Sequence, residues 1–117
     1  MILLLFSVLT SNAQTKAIDI LKLLLPLEKT DTGRIHKLVK IGDAYWRSRN
    51  DTALIYFRDA LSLSEQIGSI PWEIRSRSSI AEYLSNMKLD YATALELLLY
   101  NLKLEEQTGD THAFSQI

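Results

Sequence analysis

The chain has 117 residues, with 13 Lys and Arg against 14 Asp and Glu, and it contains no Cys. This length corresponds to at most one domain, and a near-neutral charge argues against a general nucleic-acid binder, which needs many cations to neutralise phosphates. The absence of Cys excludes disulfide scaffolds, thiolate metal sites and cysteine nucleophiles. Four Gly and two Pro are few for a sandwich or barrel, so the composition favours an all-α fold.

The chain begins with an uncharged apolar run, ILLLFSVL at residues 2–9. It is too short to span a bilayer, which takes about 20 residues, but it has the length of a signal-peptide hydrophobic region. Small residues at Ser11 and Ala13 predict cleavage before Gln14, with residues 1–13 as a signal peptide and an exported, periplasmic or extracellular product. No Lys or Arg precedes the run, so the alternative is a buried N-terminal helix in a cytoplasmic protein.

Helical spacing of apolar residues then predicts a series of helices. The first covers residues 16–28, with Ala17, Leu21 and Leu24 on one stripe and a break at Pro26. A second covers about residues 34–49 and is capped by Asp31 or Thr32. The later helices begin near residues 52, 72 and 93, and a last one begins at residues 111–117.

One segment of the chain recurs at an offset of 41 residues. Between residues 52–68 and 93–109, eight of 17 positions are identical: Thr52, Ala53, Leu54, Leu61, Leu63, Glu65, Gln66 and Gly68 match Thr93, Ala94, Leu95, Leu102, Leu104, Glu106, Gln107 and Gly109. Each copy ends in Gly, which forms a left-handed C-cap without a Cβ clash. The pattern predicts two helix pairs, at residues 34–68 and 71–109, joined by short connections that make neighbouring helices antiparallel.

These pairs resemble tetratricopeptide repeats. The first-helix pattern of that family is matched by Leu38, Ile41, Gly42 and Tyr45, and the second-helix pattern Ala-x3-Phe-x2-Ala is matched by Ala53, Phe57 and Ala60. The second pair is looser, with Ala81, Asp90, Tyr91, Ala94 and Leu98 at the corresponding places. The resemblance implies that residues 14–117 form a right-handed solenoid of about two and a half repeats.

Two features depart from the family pattern. The period is 41 rather than ~34 residues, which is similar to a longer subtype found in exported sensor kinases and regulators of Bacteroidetes. Asn101 occupies the place of a small Ala, so looser or polar packing is expected there.

Because Ala113, Phe114 and Ile117 would have no following helix to cover them, we also expect that the chain is an N-terminal part of a larger protein, or that it self-associates through this uncapped edge.

The sequence offers little support for catalysis or for a metal or cofactor site. His36 and His112 are the only imidazoles, they lie in different repeats, and neither belongs to a ligand-spaced motif. No Gly-rich phosphate loop and no Gly-x-Ser-x-Gly motif is found. The prediction is therefore no enzyme, no cofactor, no metal and no nucleic-acid partner.

Peptide ligands of stacked helix pairs lie in the concave groove formed by the first helix of each pair. The resemblance places ten residues of this chain in that groove: His36, Val39, Asp43, Trp46, Arg47, Arg75, Ser78, Glu82, Ser85 and Asn86. Trp46 and Arg47 are residue types enriched at binding hot spots, although Trp46 could equally pack against the neighbouring pair. Val39 and Asp43 replace the Lys and Asn of the chaperone-binding clamp, which disfavours that ligand class.

Two functions remain open from the sequence. The first is a protein-interaction module that binds a protein or peptide, and the cationic first helix, with Arg34, Lys37, Lys40, Arg47 and Arg49 against Asp43, favours an acidic or mixed-charge ligand. The alternative is a periplasmic sensory segment of a repeat-containing histidine kinase or transcriptional regulator in signal transduction.

Overall fold

The computed structural model describes residue 13 and residues 15–109. In this part of the chain the fold is all-α, as the composition predicts, and contains no strand. The helices are α1 at residues 15–24, α2 at Asp31–Arg47, α3 at Thr52–Ile67, α4 at Ile70–Lys88 and α5 at Tyr91–Thr108, with a short 3-10 turn at Leu25–Leu27 after α1. The predicted cleavage site before Gln14 and the predicted helix start at residues 111–117 lie outside the described residues.

The helices pack in the order in which they follow each other along the chain. α2 packs on α3, α3 on α4 and α4 on α5, and α2 also contacts α4. Connections of two to four residues join α2 to α3, α3 to α4 and α4 to α5, a length typical of antiparallel neighbours. None of the helices in the described ranges is both long and apolar enough to cross a membrane.

α2 begins one turn earlier than the predicted start at Arg34. Its N-cap is Thr30, whose hydroxyl accepts a hydrogen bond from the Gly33 amide at 3.0 Å, and not Asp31 or Thr32. The helix ends at Arg47, before Arg49, whose backbone is left-handed with φ 55°. Thr30, Asp31 and Thr32 are adjacent and all belong to residue types that favour the N-cap position, and the first of them caps the helix.

The turn between α2 and α3 is tied to α4 through Asp51. The Asn50 side-chain oxygen accepts a hydrogen bond from the Thr52 amide at 2.9 Å, which satisfies a backbone donor at the start of α3. The Asp51 carboxylate is therefore available to accept hydrogen bonds from the Tyr83 hydroxyl and the Lys88 ammonium of α4. These two donors hold the pKa of Asp51 below its usual value, and burial together with Asp51 raises the pKa of Tyr83 to about 12.

Of the four helices α2 to α5, α3 and α5 end at a glycine. Gly68 and Gly109 end α3 and α5 in the left-handed region, at φ 68° and 66°, as the sequence predicts. α4 ends in the same conformation at Leu89, with φ 54°, although Leu carries a Cβ that disfavours it. The backbone amide after Leu89 still closes the helix by a bond from Asp90 N to Leu84 O at 3.0 Å.

The core lies between α2, α3 and α4. Its buried members are Ile35, Leu38, Val39, Ala53, Phe57, Ala60, Ile80, Tyr83 and Leu84. Gly42 lets the Phe57 ring approach the α2 backbone, because a Cβ at this position would lie 2.4 Å from Phe57 Cε1. The glycine and the aromatic ring that carry the repeat resemblance therefore form one packing unit.

The second helix pair replaces part of this apolar packing with a polar network. Asn101 is buried, accepts from Arg77 Nη1 at 2.8 Å, and donates to Ile74 O at 3.2 Å and Ser78 Oγ at 3.1 Å. The Arg77 guanidinium also lies over the Tyr100 ring, 4.3 Å from its centroid, and is paired with Glu73 at 3.5 Å. The packing at Asn101 is thus polar and densely hydrogen-bonded.

Candidate functional site

A surface groove runs along α2. One of its two pockets has a volume of about 390 Å³ and is lined by Asp43, Trp46, Arg47, Arg49 and Met87. The other has a volume of about 480 Å³ and is lined by Ala17, Ile20, Leu21, Lys40, Asp43, Ala44 and Arg47. Since Asp43 and Arg47 line both pockets, the pockets form one continuous surface bounded by α1, α2 and α4, here called the α2 groove.

Trp46 is held in the floor of the α2 groove by the core. Its ring makes edge contacts with Phe57 at 6.2 Å and with Tyr83 at 5.4 Å between ring centroids. The rest of its surface lines the first pocket. The two sequence interpretations of Trp46, as a packing residue and as a groove residue, therefore describe two sides of the same ring.

The charged residues that line the α2 groove are mostly cationic. Lys40, Arg47 and Arg49 contribute positive charge, and Asp43 is the only carboxylate in the two linings. Burial raises the pKa of Asp43, while the nearby Arg75 and Arg47 oppose that rise. A ligand that carries carboxylates would meet attractive charges on a partly apolar surface.

Arg75 extends the cationic surface toward the start of α4, where it lies near His36. The His36 ring lies 5.8 Å from the Trp72 ring. Burial, with further contributions from Lys40, Lys37 and Arg75, lowers the pKa of His36. Burial and the nearby cations therefore disfavour the protonated imidazole, and the pKa of His36 reports on the charge around it.

The remaining sequence-predicted residues lie elsewhere. Val39 is 3% exposed and belongs to the core, and Ser78 faces α5, where its hydroxyl accepts from Asn101. The other three line a separate cleft of about 250 Å³, here called the α4–α5 cleft, whose lining is Ala81, Glu82, Ser85, Asn86, Tyr91, Ala94, Leu95 and Leu98. The structure thus brings Asp43, Trp46 and Arg47 together in the α2 groove and places Glu82, Ser85 and Asn86 in the α4–α5 cleft.

Sequence reasoning missed several groove residues. Lys40 had a usable signal, because it lies seven residues before Arg47 and hence on the same helix face. Arg49 lies beyond the end of α2, in the turn, and Met87 reaches the groove from α4. The positions of Met87 and Ile20 depend on how α4 and α1 cross α2, which apolar periodicity alone does not determine.

Among residues 13 and 15–109, no group of three or more His, Asp or Glu side chains is arranged to hold a metal ion. Comparisons of the chain with protein-family models, with curated proteins and with solved structures found no significant match.

Proposed function

We propose that this chain is a non-catalytic interaction module that binds a peptide or protein segment in the α2 groove. The proposal includes the finer architecture that the repeat resemblance implies, in which the helix pairs stack as a right-handed solenoid similar to tetratricopeptide repeats. The observation that carries the proposal is the α2 groove itself, a pre-formed surface that combines apolar and cationic groups. Pre-formed sites of this kind bind without a large ordering cost.

The chemistry of the lining selects the ligand class. Trp46 and Met87 offer apolar contact, while Arg47, Arg49 and Lys40 supply donors for carboxylates. Arg presents a planar fork of donors that matches a carboxylate in two-point contact. We expect an extended segment in which acidic and apolar side chains alternate.

The test is a selection from a library of displayed random 12-residue peptides against the full chain. The selected peptides should be enriched in Asp and Glu interspersed with apolar residues. Arg47→Glu should weaken the affinity of the most enriched peptide by about tenfold or more, since a charge in direct contact is reversed. Arg58→Glu is the matched control, because Arg58 is an exposed cation on α3 and should leave the affinity within about twofold.

Two outcomes would overturn the proposal. One is a selection that enriches no peptide above the background of an unrelated helical protein. The other is an enriched peptide that binds the Arg47→Glu and Arg58→Glu variants equally. Circular dichroism of both variants should show unchanged helicity, because neither arginine lies in the core.

A further inference from the structure

α5 carries an exposed apolar stripe that the α2 groove does not use. The stripe consists of Tyr91, Leu95, Leu98 and Leu102, which are 62%, 58%, 44% and 51% exposed, and Leu99 lies beside it at 54%. Single exposed apolar residues are normal on a protein surface, but a continuous row over three helical turns is typical of an interaction surface. We call these five residues the α5 stripe.

The internal repeat allows the α5 stripe to be compared with the corresponding residues of the first copy. At an offset of 41 residues, Leu95, Leu98 and Leu102 correspond to Leu54, Phe57 and Leu61 of α3. In α3, Phe57 is fully buried, and Leu54 and Leu61 pack against the core that α2 and α4 complete. The same three positions are apolar in both copies, yet in α5 no helix of the described residues covers them.

The spacing of the α5 stripe indicates the shape of its partner. Tyr91, Leu95, Leu98 and Leu102 follow one another at intervals of four, three and four residues. Alternating intervals of three and four residues are typical of two helices that pack at a shallow angle, where side chains of each helix insert between side chains of the other. The partner element is therefore a helix that lies along α5.

We propose that the partner is α5 of a second copy, packed antiparallel about a two-fold axis near Leu98 and Leu99. In this arrangement Leu95 meets the partner's Leu102, and Leu98 meets the partner's Leu99. A two-fold contact uses the same surface twice and closes on itself. The proposal is independent of ligand binding in the α2 groove, because the two surfaces share no residue.

Charge complementarity selects the antiparallel orientation. Glu96 and Lys103 are seven residues apart and flank the α5 stripe on the same side, where both are exposed. An antiparallel pair brings Glu96 near the partner's Lys103 on that flank, and the contact occurs twice by symmetry. A parallel pair would instead place the two copies of this flank on opposite sides of the seam, where neither ion pair can form.

The first experiment is sedimentation equilibrium of the full chain over a range of concentrations. The wild type should form a dimer, and Leu95→Glu should be monomeric throughout. Ile55→Glu is the matched control, because Ile55 on α3 is exposed to the same 58% as Leu95, and this variant should dimerise like the wild type. A monomeric wild type, or a dimer that survives Leu95→Glu, would overturn the proposal.

The second experiment tests the orientation by disulfide trapping, which is simple because the chain has no Cys. Leu99→Cys, near the axis, should form covalent dimers under mild oxidation, and Tyr91→Cys should not, because the bond requires Cα atoms within about 7 Å. Efficient trapping of both variants would indicate a parallel pair and would contradict the proposed antiparallel dimer. A charge reversal adds a further check: Glu96→Lys should weaken the dimer, and Glu96→Lys with Lys103→Glu should restore it.

A third measurement distinguishes the other source of a covering helix, which is residues 110–117 of the same chain. If that segment covered the α5 stripe, truncation after Gly109 would convert a monomer into a dimer. The proposal requires the opposite result, namely dimerisation of the full chain that truncation leaves unchanged.

Discussion

Gly42 and Phe57 determine how closely α2 and α3 approach each other. A Cβ at position 42 would lie 2.4 Å from Phe57 Cε1, closer than carbon atoms pack. In the second pair, Ala81 and Leu98 occupy the corresponding places, but they line the α4–α5 cleft and Leu98 is 44% exposed, so this pair is not closely packed.

Gly42→Ala should destabilise the protein despite the better helix propensity of Ala. Propensity favours Ala by about 1 kcal/mol, whereas overpacking a core costs about 1–3 kcal/mol, so the steric term should dominate. Chemical denaturation measures the difference.

The sign of this effect should depend on residue 57. In a Phe57→Leu background the smaller side chain leaves room for the new methyl group, and Gly42→Ala should then be neutral or stabilising. The same destabilisation in both backgrounds would show that Gly42 is required for another reason.

Asn101→Ala should cost stability even though Ala is the residue at the corresponding position 60 of the first copy. The substitution removes the acceptor of Arg77 Nη1 and leaves a buried charged donor without it, at a cost of about 1–3 kcal/mol. Thermal unfolding of Asn101→Ala measures the loss, and the exposed Asn86→Ala is the control, with an expected change within about 0.5 kcal/mol. Equal stability of both variants would contradict a stabilising role for the network.

The sequence could predict some of these residue roles and not others. Ala53, Phe57 and Ala60 recur at helical spacing, which is enough to place them on the buried face. Asn101 was recognisable as an exception, but its partner Arg77 lies 24 residues away on another helix. A hydrogen bond of that kind depends on the crossing of two helices, and a one-dimensional pattern does not contain it.

At the scale of the helices, the C-cap of α4 is a left-handed residue that is not a glycine. Leu89 adopts φ 54°, where a side chain costs about 1–2 kcal/mol that Gly avoids. Leu89→Gly should therefore raise the free energy of unfolding by about 0.5–1 kcal/mol, after the larger chain entropy of unfolded Gly is deducted. Gly68→Ala, the reverse change at an equivalent cap, should lower it. Denaturation midpoints of the two variants should shift in opposite directions, and shifts of the same sign would contradict this interpretation of the caps.

The attachment of α4 to the α2–α3 turn should weaken in alkaline solution. The folded-state pKa of Tyr83 is about 12, against 10.0 for an unperturbed tyrosine, so the folded protein holds this proton more tightly than the unfolded chain. The associated stability is fully present below pH 10 and is lost as pH rises toward 12. Its size is on the order of 2 kcal/mol.

Comparison of the wild type with Tyr83→Phe checks this prediction. The wild type should lose stability relative to the variant between pH 10 and pH 12, because the phenylalanine has no proton to release. Parallel stability curves across that interval would contradict the role of the hydroxyl.

The helices themselves were the most predictable feature of the chain. Apolar periodicity and the two glycine caps located α3 and α5 closely, because both signals are local. The predicted start of α2 was wrong by one turn, since Thr30, Asp31 and Thr32 all belong to residue types that favour the N-cap position and the sequence pattern does not distinguish among them. The end of α4 at Leu89 carried no glycine signal.

At the scale of the whole molecule, the candidate site was only partly accessible from the sequence. The repeat resemblance assigned Asp43, Trp46 and Arg47 to one groove on α2, and these three residues line the α2 groove. The residues that other helices bring to the groove, such as Met87 and Ile20, depend on packing angles. For the same reason the set chosen on α4 was divided, with Arg75 near His36, Ser78 facing α5, and the other three, Glu82, Ser85 and Asn86, in the α4–α5 cleft.

In the two proposals, the α2 groove and the α5 stripe are separate surfaces of one small fold that bind different partners. The α2 groove combines cations with apolar floor residues and suits a charged segment, whereas the α5 stripe is apolar and suits another helix. Groove binding should weaken as salt rises, because exposed charges are screened, and α5 association should change little.

The central claim is that the α2 groove is the binding surface, and a nuclear magnetic resonance titration with the most enriched acidic peptide tests it most directly. The account predicts that amide shifts concentrate at Asp43, Arg47, Arg49 and Met87, and that the lowered pKa of His36 rises on binding, because ligand carboxylates stabilise its protonated form. Shifts concentrated on the α5 stripe or on the outer face of α3, with an unchanged His36 pKa, would contradict it.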